Sequence, residues 1–192
     1  NRYYYRKVEN FMSASKEFVP VNIAVLTVSD TRTDESDTSG NSLVENLTAS
    51  GHTLADKKIV IDDIYQIRSV VSQWVADKSI EAILITGGTG FSERDSTPEA
   101  VLPLFDKEVK GYGELFRQIS YDEIGTSTIQ SRALAGLANA TVIFVMPGST
   151  GACKTAWNGV IKDQLDATNR PCNFVALITK HRQVTTECET RS

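Results

Sequence analysis

Four short apolar runs rich in β-branched residues punctuate the chain, and each breaks off into polar or glycine-rich sequence. Asn22 to Asp30 is near-continuously apolar until its polar close, the pattern of a strand buried on both faces of a parallel sheet. Thr53 to Ile61 is a weaker second run that ends at Asp62-Asp63. Ala82 to Thr86 runs into Gly87-Gly88-Thr89-Gly90, and Thr141 to Met146 into Pro147-Gly148-Ser149-Thr150-Gly151. Between these runs the apolar period changes to that of a helix. Thr38 or Ser39 is read as the cap of a helix through Ser50, with Leu43, Val44 and Leu47 inward and Gly51 as its stop. Ile64, Ile67, Val70, Val71, Trp74 and Val75 form one helical stripe; Trp157, Val160, Ile161 and Leu165 form another. Further helices are expected over Pro98 to Phe105, Glu114 to Tyr121 and the Ala-Leu-rich Ala133 to Ala138, with a turn-rich link from Lys107 to Gly113. Asn173 to Ile178 is read as a last strand or tail segment. Residues 1–19 are expected to be an extension and 179–192 a frayed tail, which leaves one domain over 20–178.

Alternating strands and helices predict an α/β fold, a three-layer sandwich around a mostly parallel sheet. Ligands of such sheets bind outside the carboxyl ends of the strands. That rule gathers Ser29-Asp30, Asp62-Asp63, Thr86 to Gly90 and Pro147 to Gly151 along one edge.

Composition narrows the choice of partner. With 192 residues, 41% hydrophobic and 23% charged, the chain reads as an ordinary globular domain able to bury one core. A net charge of −4 offers no electrostatic case for nucleic acid or an anionic membrane. No apolar run approaches the length of a membrane span. Cys153, Cys172 and Cys188 lack a paired metal spacing, and with no signal-peptide pattern the expected location is a reducing cytoplasm. His52 and His181 are the only histidines, which makes a zinc site or a Ser-His-Asp triad hard to build.

The candidate chemistry centres on the third run. A strand, a loop with three glycines in four residues and a helix start follow one another, and Ser96 with Glu99 has the spacing of a capping box, with Pro98 early in the helix. Such a corner exposes backbone N–H groups and binds anions, phosphate above all. Asp95 would repel a polyphosphate unless a cation lies between them, so it reads either as a divalent-metal ligand or as a helix cap. Asp62 is open to three readings: a turn residue, a ribose ligand or a second metal ligand. Asp63 reads as the bystander. Ser39-Gly40 is a helix cap whose N–H groups can also meet an anion. Arg94 and Arg132 are able to clamp phosphate, although a surface arginine is the default for each alone. Gly148 to Thr155 falls one glycine short of a P-loop, with Cys153 where the second glycine belongs and Lys154 more simply solvated. No nucleophile–base pair is visible, which favours direct transfer at phosphorus, where positioning and charge neutralisation supply most of the catalysis.

Thr86-Gly87-Gly88-Thr89-Gly90 followed by Asp95 and Thr97-Pro98-Glu99-Ala100, then Met146-Pro147-Gly148-Ser149, resembles the MoaB/MogA family of molybdenum cofactor biosynthesis. Asp37-Thr38-Ser39-Gly40 and Ser131-Arg132-Ala133 also fit, and the resemblance covers about residues 20–175. Thr126 to Arg132 and Pro171-Cys172-Asn173-Phe174 are similar to the MoaB branch. The resemblance implies a Mg²⁺-dependent molybdopterin adenylyltransferase, in which the pterin's terminal phosphate attacks the α-phosphorus of ATP. It implies Asp95 and Asp62 as catalytic and metal-holding acids. It implies substrate contacts at Thr86, Gly87, Gly88, Thr89, Gly90, Ser39, Gly40, Ser131, Arg132, Pro147, Gly148 and Ser149. A homotrimer or homohexamer is implied as well. The chain departs from adenylyltransferase members in reading Ile61-Asp62-Asp63 for Pro-Asp-Glu and Pro147-Gly148-Ser149-Thr150 for Pro-Gly-Asn-Pro, so a catalytically weak binding protein of the same pathway is the alternative. A P-loop-like NTPase built on Gly148 to Thr155 is a third reading.

Overall fold

The computed structural model describes residues 17–182. The tyrosine cluster at residues 3–5, Met12 and Cys188 lie outside that range. Among the described residues six strands form one mixed sheet in the order β2-β1-β3-β6-β5-β4. The strands are β1 (Asn22–Val28), β2 (Thr53–Val60), β3 (Ala82–Thr86), β4 (Lys107–Glu108), β5 (Leu134–Ala138) and β6 (Thr141–Met146). β1 pairs in parallel with β2 and β3, and β3 with β6; β5 runs antiparallel to both β6 and β4. Five strands therefore point one way, and β5 alone is reversed.

The period-2 alternation of the central strands sorts the core into two halves. Ile23 and Val25 of β1, Leu84 of β3 and Phe144 of β6 face a layer made by α1 (Thr38–Ala49), α4 (Lys110–Ile124) and α5 (Thr150–Ala156). Ala24, Leu26, Ile83, Ile85, Ile143 and Val145 face α2 (Ile64–Ala76) and the short α3 (Thr97–Val101). A three-layer sandwich is the result. α5 continues through a π turn, Trp157–Ile161, that carries the fully buried Trp157 into the first half-core. On the other side Trp74 packs inward while its indole N–H donates to Asp56 at 2.9 Å.

Several expectations need correction. Leu134–Ala138 is a strand: its main chain pairs with β6, and Asn139 and Ala140, both at positive φ, make the two-residue turn that joins them. Helix propensity is overridden by that pairing, and Phe105 lies where a side chain at Gly136 would stand. α4 begins at Lys110, inside the expected link; Gly113 is required there because a Cβ would come within 2.5 Å of Ala133 O. Asn173 to Ile178 ends in a helix, α6 (Val175–Ile178), with Val175 and Ile178 buried in the core. Residues 179–182 are not frayed. Arg182 pairs with the buried carboxylate of Glu81, which also accepts the Asn22 N–H at 2.9 Å. α1 is capped by Asp37, not by Thr38 or Ser39, and Asp63 caps α2 by accepting the N–H groups of Tyr65 and Gln66.

His52 supplies a pH-sensitive joint. It is buried between Phe18 and Trp157, its Nδ1 accepts the Val21 N–H at 3.2 Å, and burial holds its pKa below the usual imidazole value. Protonation would abolish that acceptor. Because the unfolded chain takes up the proton more readily than the native one, the contribution is complete above about pH 6.5 and is lost as pH falls toward the lower native value. Urea unfolding at pH 7 and pH 5 is expected to show a stability decrease that His52→Gln largely removes; an equal decrease in both proteins would assign it elsewhere.

Candidate functional site

The strand order reverses between β1 and β3, because the chain passes from β1 out to β2 and returns on the other side. A crevice at such a switch point is where open α/β sheets bind ligands. Here it is a cavity of about 440 Å³ above the carboxyl ends of β1, β3 and β6. Thr27, Val28 and Ser29 line it from β1; Thr86, Gly87, Gly88, Thr89, Gly90 and Asp95 from β3 and its loop; Pro147 and Gly148 from the loop after β6. Ile124, Ser127, Gln130 and Ser131, from the end of α4 and the 3₁₀ turn Gly125–Gln130, complete the wall, and Arg32 reaches it from the β1–α1 loop.

The floor is main chain. Gly87 and Gly88 adopt φ of 103° and 61°, and a side chain on Gly87 would overlap Val28 O. A Cβ on Gly148 would lie 3.2 Å from Gly87 Cα, so the two glycine loops touch backbone to backbone. Thr97 anchors the first loop: its hydroxyl donates to Gly87 O at 2.9 Å and its N–H to Gly88 O at 3.0 Å. In a trans peptide the next N–H points opposite to the carbonyl, so these anchors turn the N–H groups of Gly88 and Thr89 away from Thr97. Ser39 does the same for the second loop, its hydroxyl donating to Gly148 O at 2.7 Å.

Asp95 is the carboxylate in the cavity wall. The Ser92 hydroxyl and N–H donate to its Oδ2 at 2.6 and 2.9 Å, and those bonds hold its pKa below the usual carboxylate value against the opposing effect of burial. It is ionised at neutral pH. Asp62 does not line the cavity; its Oδ1 accepts the Ser96 hydroxyl at 2.6 Å and N–H at 3.0 Å. The expected capping box is thus replaced, with Ser96 bonded to Asp62 and Glu99 paired with Arg132. Among the described residues no group of three acidic, His or Cys side chains is arranged to hold a metal.

The remaining predicted residues divide between lining and support. Arg132 is spent on the glycine loop: it donates to Thr89 O at 3.1 Å and Asp95 O at 2.9 Å, pairs with Glu99 and stacks over Phe91. Arg94 forms a two-pronged pair with Asp30, at 3.0 and 2.8 Å. Gly40 lies beneath the site, with its N–H on Asp37 and no room for a Cβ. Ser149 is exposed and caps α5 through the Ala152 N–H. Ser131 lines the cavity with a buried hydroxyl that has no hydrogen-bond partner among the described residues, a donor available to a ligand. The P-loop reading fails: Thr150 already begins α5, Lys154 is exposed on that helix, and Cys153 is buried against the Thr86 hydroxyl with its thiol pushed up to about 11 by burial.

Arg32 was not singled out beforehand, and Asp37, Ser127 and Gln130 were quoted in motifs without a role at the site. Asp37 accepts from Gly40 N–H at 2.9 Å and Thr27 Oγ1 at 2.8 Å, and it pairs with Lys57 at 3.1 Å. The acid before Thr-Ser-Gly at a helix start was the available signal.

A glycine-loop cavity at the switch point of a three-layer α/β sandwich has the form of an anion-binding corner. A family profile described as probable molybdopterin binding domain matches residues 24–167, and the chain belongs to that family, the MoaB/MogA family. It is 58% identical over 160 residues to molybdenum cofactor biosynthesis protein B of Escherichia coli (strain K12), covering 83% of this chain and 94% of that protein. Its identity to the protein of that name from Bacillus subtilis (strain 168) is 46% over 146 residues, 76% of this chain and 86% of the other. A crystal structure of a molybdenum cofactor biosynthesis protein B matches with a TM-score of 0.77 at 42% identity, over 86% of this chain and 98% of that one. The tungsten cofactor synthesizing protein MoaB from Pyrococcus furiosus matches with a TM-score of 0.63 at 32% identity, over 93% and 100%.

Gly87→Ala tests the close-packed floor. It is expected to lose at least about 2 kcal/mol in urea unfolding, because the left-handed backbone and the Val28 carbonyl both oppose a methyl group. Gly151→Ala, where a Cβ meets nothing within 4 Å, serves as the comparison and is expected to stay close to the parent.

Proposed function

We propose that the protein acts in molybdenum cofactor biosynthesis as a Mg²⁺-dependent molybdopterin adenylyltransferase, joining the terminal phosphate of molybdopterin to the α-phosphorus of ATP and releasing pyrophosphate. The observation that carries this reading is the convergence of two glycine loops, an ionised carboxylate and a polar wall on one cavity. Its size, about 440 Å³, suits a bound small molecule. Family membership supplies the substrate class.

The roles of the residues follow from their placement. The N–H groups turned outward by Thr97 orient phosphate oxygens, and Thr86 and Gly148 keep the two loops in register, the Thr86 hydroxyl donating to Pro147 O at 3.0 Å. Asp95 fits the metal requirement, since Mg²⁺ in phosphate sites is held through one or two carboxylates plus phosphate oxygens. Bound there, the ion supplies neutralisation of charge on the transferring phosphoryl group. Asp62 acts one step back, fixing Ser96 and with it the start of α3 that carries Thr97. Ser131, Ser127 and Gln130 offer hydroxyl and amide groups to an uncharged heterocycle. The proposal extends to a single functional domain over 20–178, a cytoplasmic location and a homotrimer or homohexamer, each resting on the sequence reading and family likeness.

A second reading is binding without turnover. It is favoured by the commitment of Asp62 to Ser96 and of Ser149 to the cap of α5, which leaves Asp95 as the acid in the cavity wall among the described residues.

Incubation of the purified protein with molybdopterin, ATP and Mg²⁺ separates the two. Adenylylated molybdopterin and pyrophosphate are the expected products; molybdopterin binding with no product would establish the second reading. Asp95→Asn is expected to reduce turnover at least about a hundredfold. Near-parent turnover in that variant would remove Asp95 from the mechanism.

A further inference from the structure

We propose that Arg32, in the loop between β1 and α1, is the phosphate-binding cation of this cavity, a role that rests on the reading of the site as one for phosphorylated ligands. Three arginines lie around the crevice, and charge accounting separates them. Arg94 is held in its two-pronged pair with Asp30, and Arg132 is divided between Glu99 and two carbonyls of the glycine loop. Arg32 is the single cationic side chain among the described residues lining the cavity, where Asp95 is the single anionic one.

Among the described residues Arg32 makes one ion pair, a long one to Asp37, and donates no hydrogen bond to a carboxylate. Asp37 is the nearest acid, but Arg32 Nη1 stands 3.9 Å from Asp37 Oδ1, beyond hydrogen-bond reach. Asp37 is already compensated by Lys57 at 3.1 Å, the Gly40 N–H and the Thr27 hydroxyl. The guanidinium donates instead to uncharged oxygens: Thr38 Oγ1 at 3.0 Å, Ser36 O at 3.4 Å and Gly148 O at 3.5 Å, the last two long. These contacts hold it across the mouth between the β1 and β6 loops without consuming its fork. Its backbone is set from below, where Ser29 Oγ accepts the Thr31 and Arg32 N–H groups at 3.3 and 3.2 Å. A planar fork with unused donors, facing a cavity floored by glycine loops, matches a phosphate better than any other group on this wall. Two sources carry that chemistry, the polyphosphate of a nucleotide and the phosphate monoester of a pterin.

Calorimetric titration of the purified full chain with inorganic pyrophosphate, with ATP and Mg²⁺, and with molybdopterin tests the assignment. Arg32→Gln is expected to weaken binding about tenfold or more, to flatten its dependence on salt and to leave the melting temperature unchanged. Loss confined to pyrophosphate and ATP places the fork on the nucleotide; loss confined to molybdopterin places it on the pterin. Thr38→Val removes a tether but no charge and is expected to bind within about twofold of the parent. Parent-like affinity of Arg32→Gln for all three ligands overturns the assignment, as does equal weakening in Thr38→Val. If Arg32→Gln does not fold, Arg32→Lys decides: weakening by about threefold or more at an unaltered melting temperature supports the role, and parent affinity for every ligand overturns it. Arg32-dependent pyrophosphate binding without adenylyl transfer would sink the proposed function and leave Arg32 in place. Undiminished transfer by Arg32→Gln would do the reverse.

Discussion

Loops that leave neighbouring parallel strands can pack main chain against main chain only where the touching residues carry no side chain. The loops after β3 and β6 meet this condition at Gly87 and Gly148, against the end of β1. The first has no room because Val28 O occupies the place of a Cβ, and the second lies directly against the first. Gly88 is similarly closed in by Thr97 and Asp62, and Gly40 by Asp37 and Thr27. The crevice is therefore shallow enough to present peptide groups directly to a ligand. The side-chain contacts to the carbonyls of the two loops serve that arrangement.

The service is consistent in its chemistry. Thr97, Ser39, Arg132 and Thr86 all donate to carbonyls of the two loops, at Gly87, Gly148, Thr89 and Pro147. Carbonyls drawn into the protein remove the groups that would repel an anion and present the opposite side of each peptide. The charges sort themselves in the same way. Arg94, Arg132 and Lys57 are each held close to an acid, while Asp95 and Arg32, the latter 3.9 Å from Asp37, stand on the wall. Asp95 is kept ionised by Ser92, so the wall carries a fixed negative point and a fixed positive one, the pair that a phosphate with its counter-ion requires.

How much of this was legible depended on whether neighbours or local sequence decided each element. β1, β3 and β6 announce themselves because burial on both faces demands unbroken Val and Ile, and α1 and α2 because their stripes keep the helical period. β5 does not: Leu-Ala-Gly-Leu-Ala prefers a helix, and its extended form is imposed by β6 through the turn at Asn139 and Ala140. β4, at two residues, is too short to carry a period, and Gly111 and Gly113 disguise the start of α4. At the site, the glycine loop and Asp95 were readable because their backbone and charge demands are local. Arg32 was hidden in a polar loop, where nothing in the order of residues distinguishes it from a solvated arginine. Arg132 was misleading for the opposite reason, since its partners Thr89, Asp95 and Glu99 lie 43, 37 and 33 residues away.

A binding surface made of peptide groups has a consequence for change over time. Side-chain variation cannot retune the floor, because a residue larger than glycine does not fit there and the N–H groups are common to every residue that would. The rim is different: Ser127 and Gln130 are exposed and stand on the 3₁₀ turn after α4, where replacement leaves the sheet untouched. The floor and the rim of the cavity are thus free to change separately, the floor as a property of the backbone and the rim as a property of side chains open to substitution.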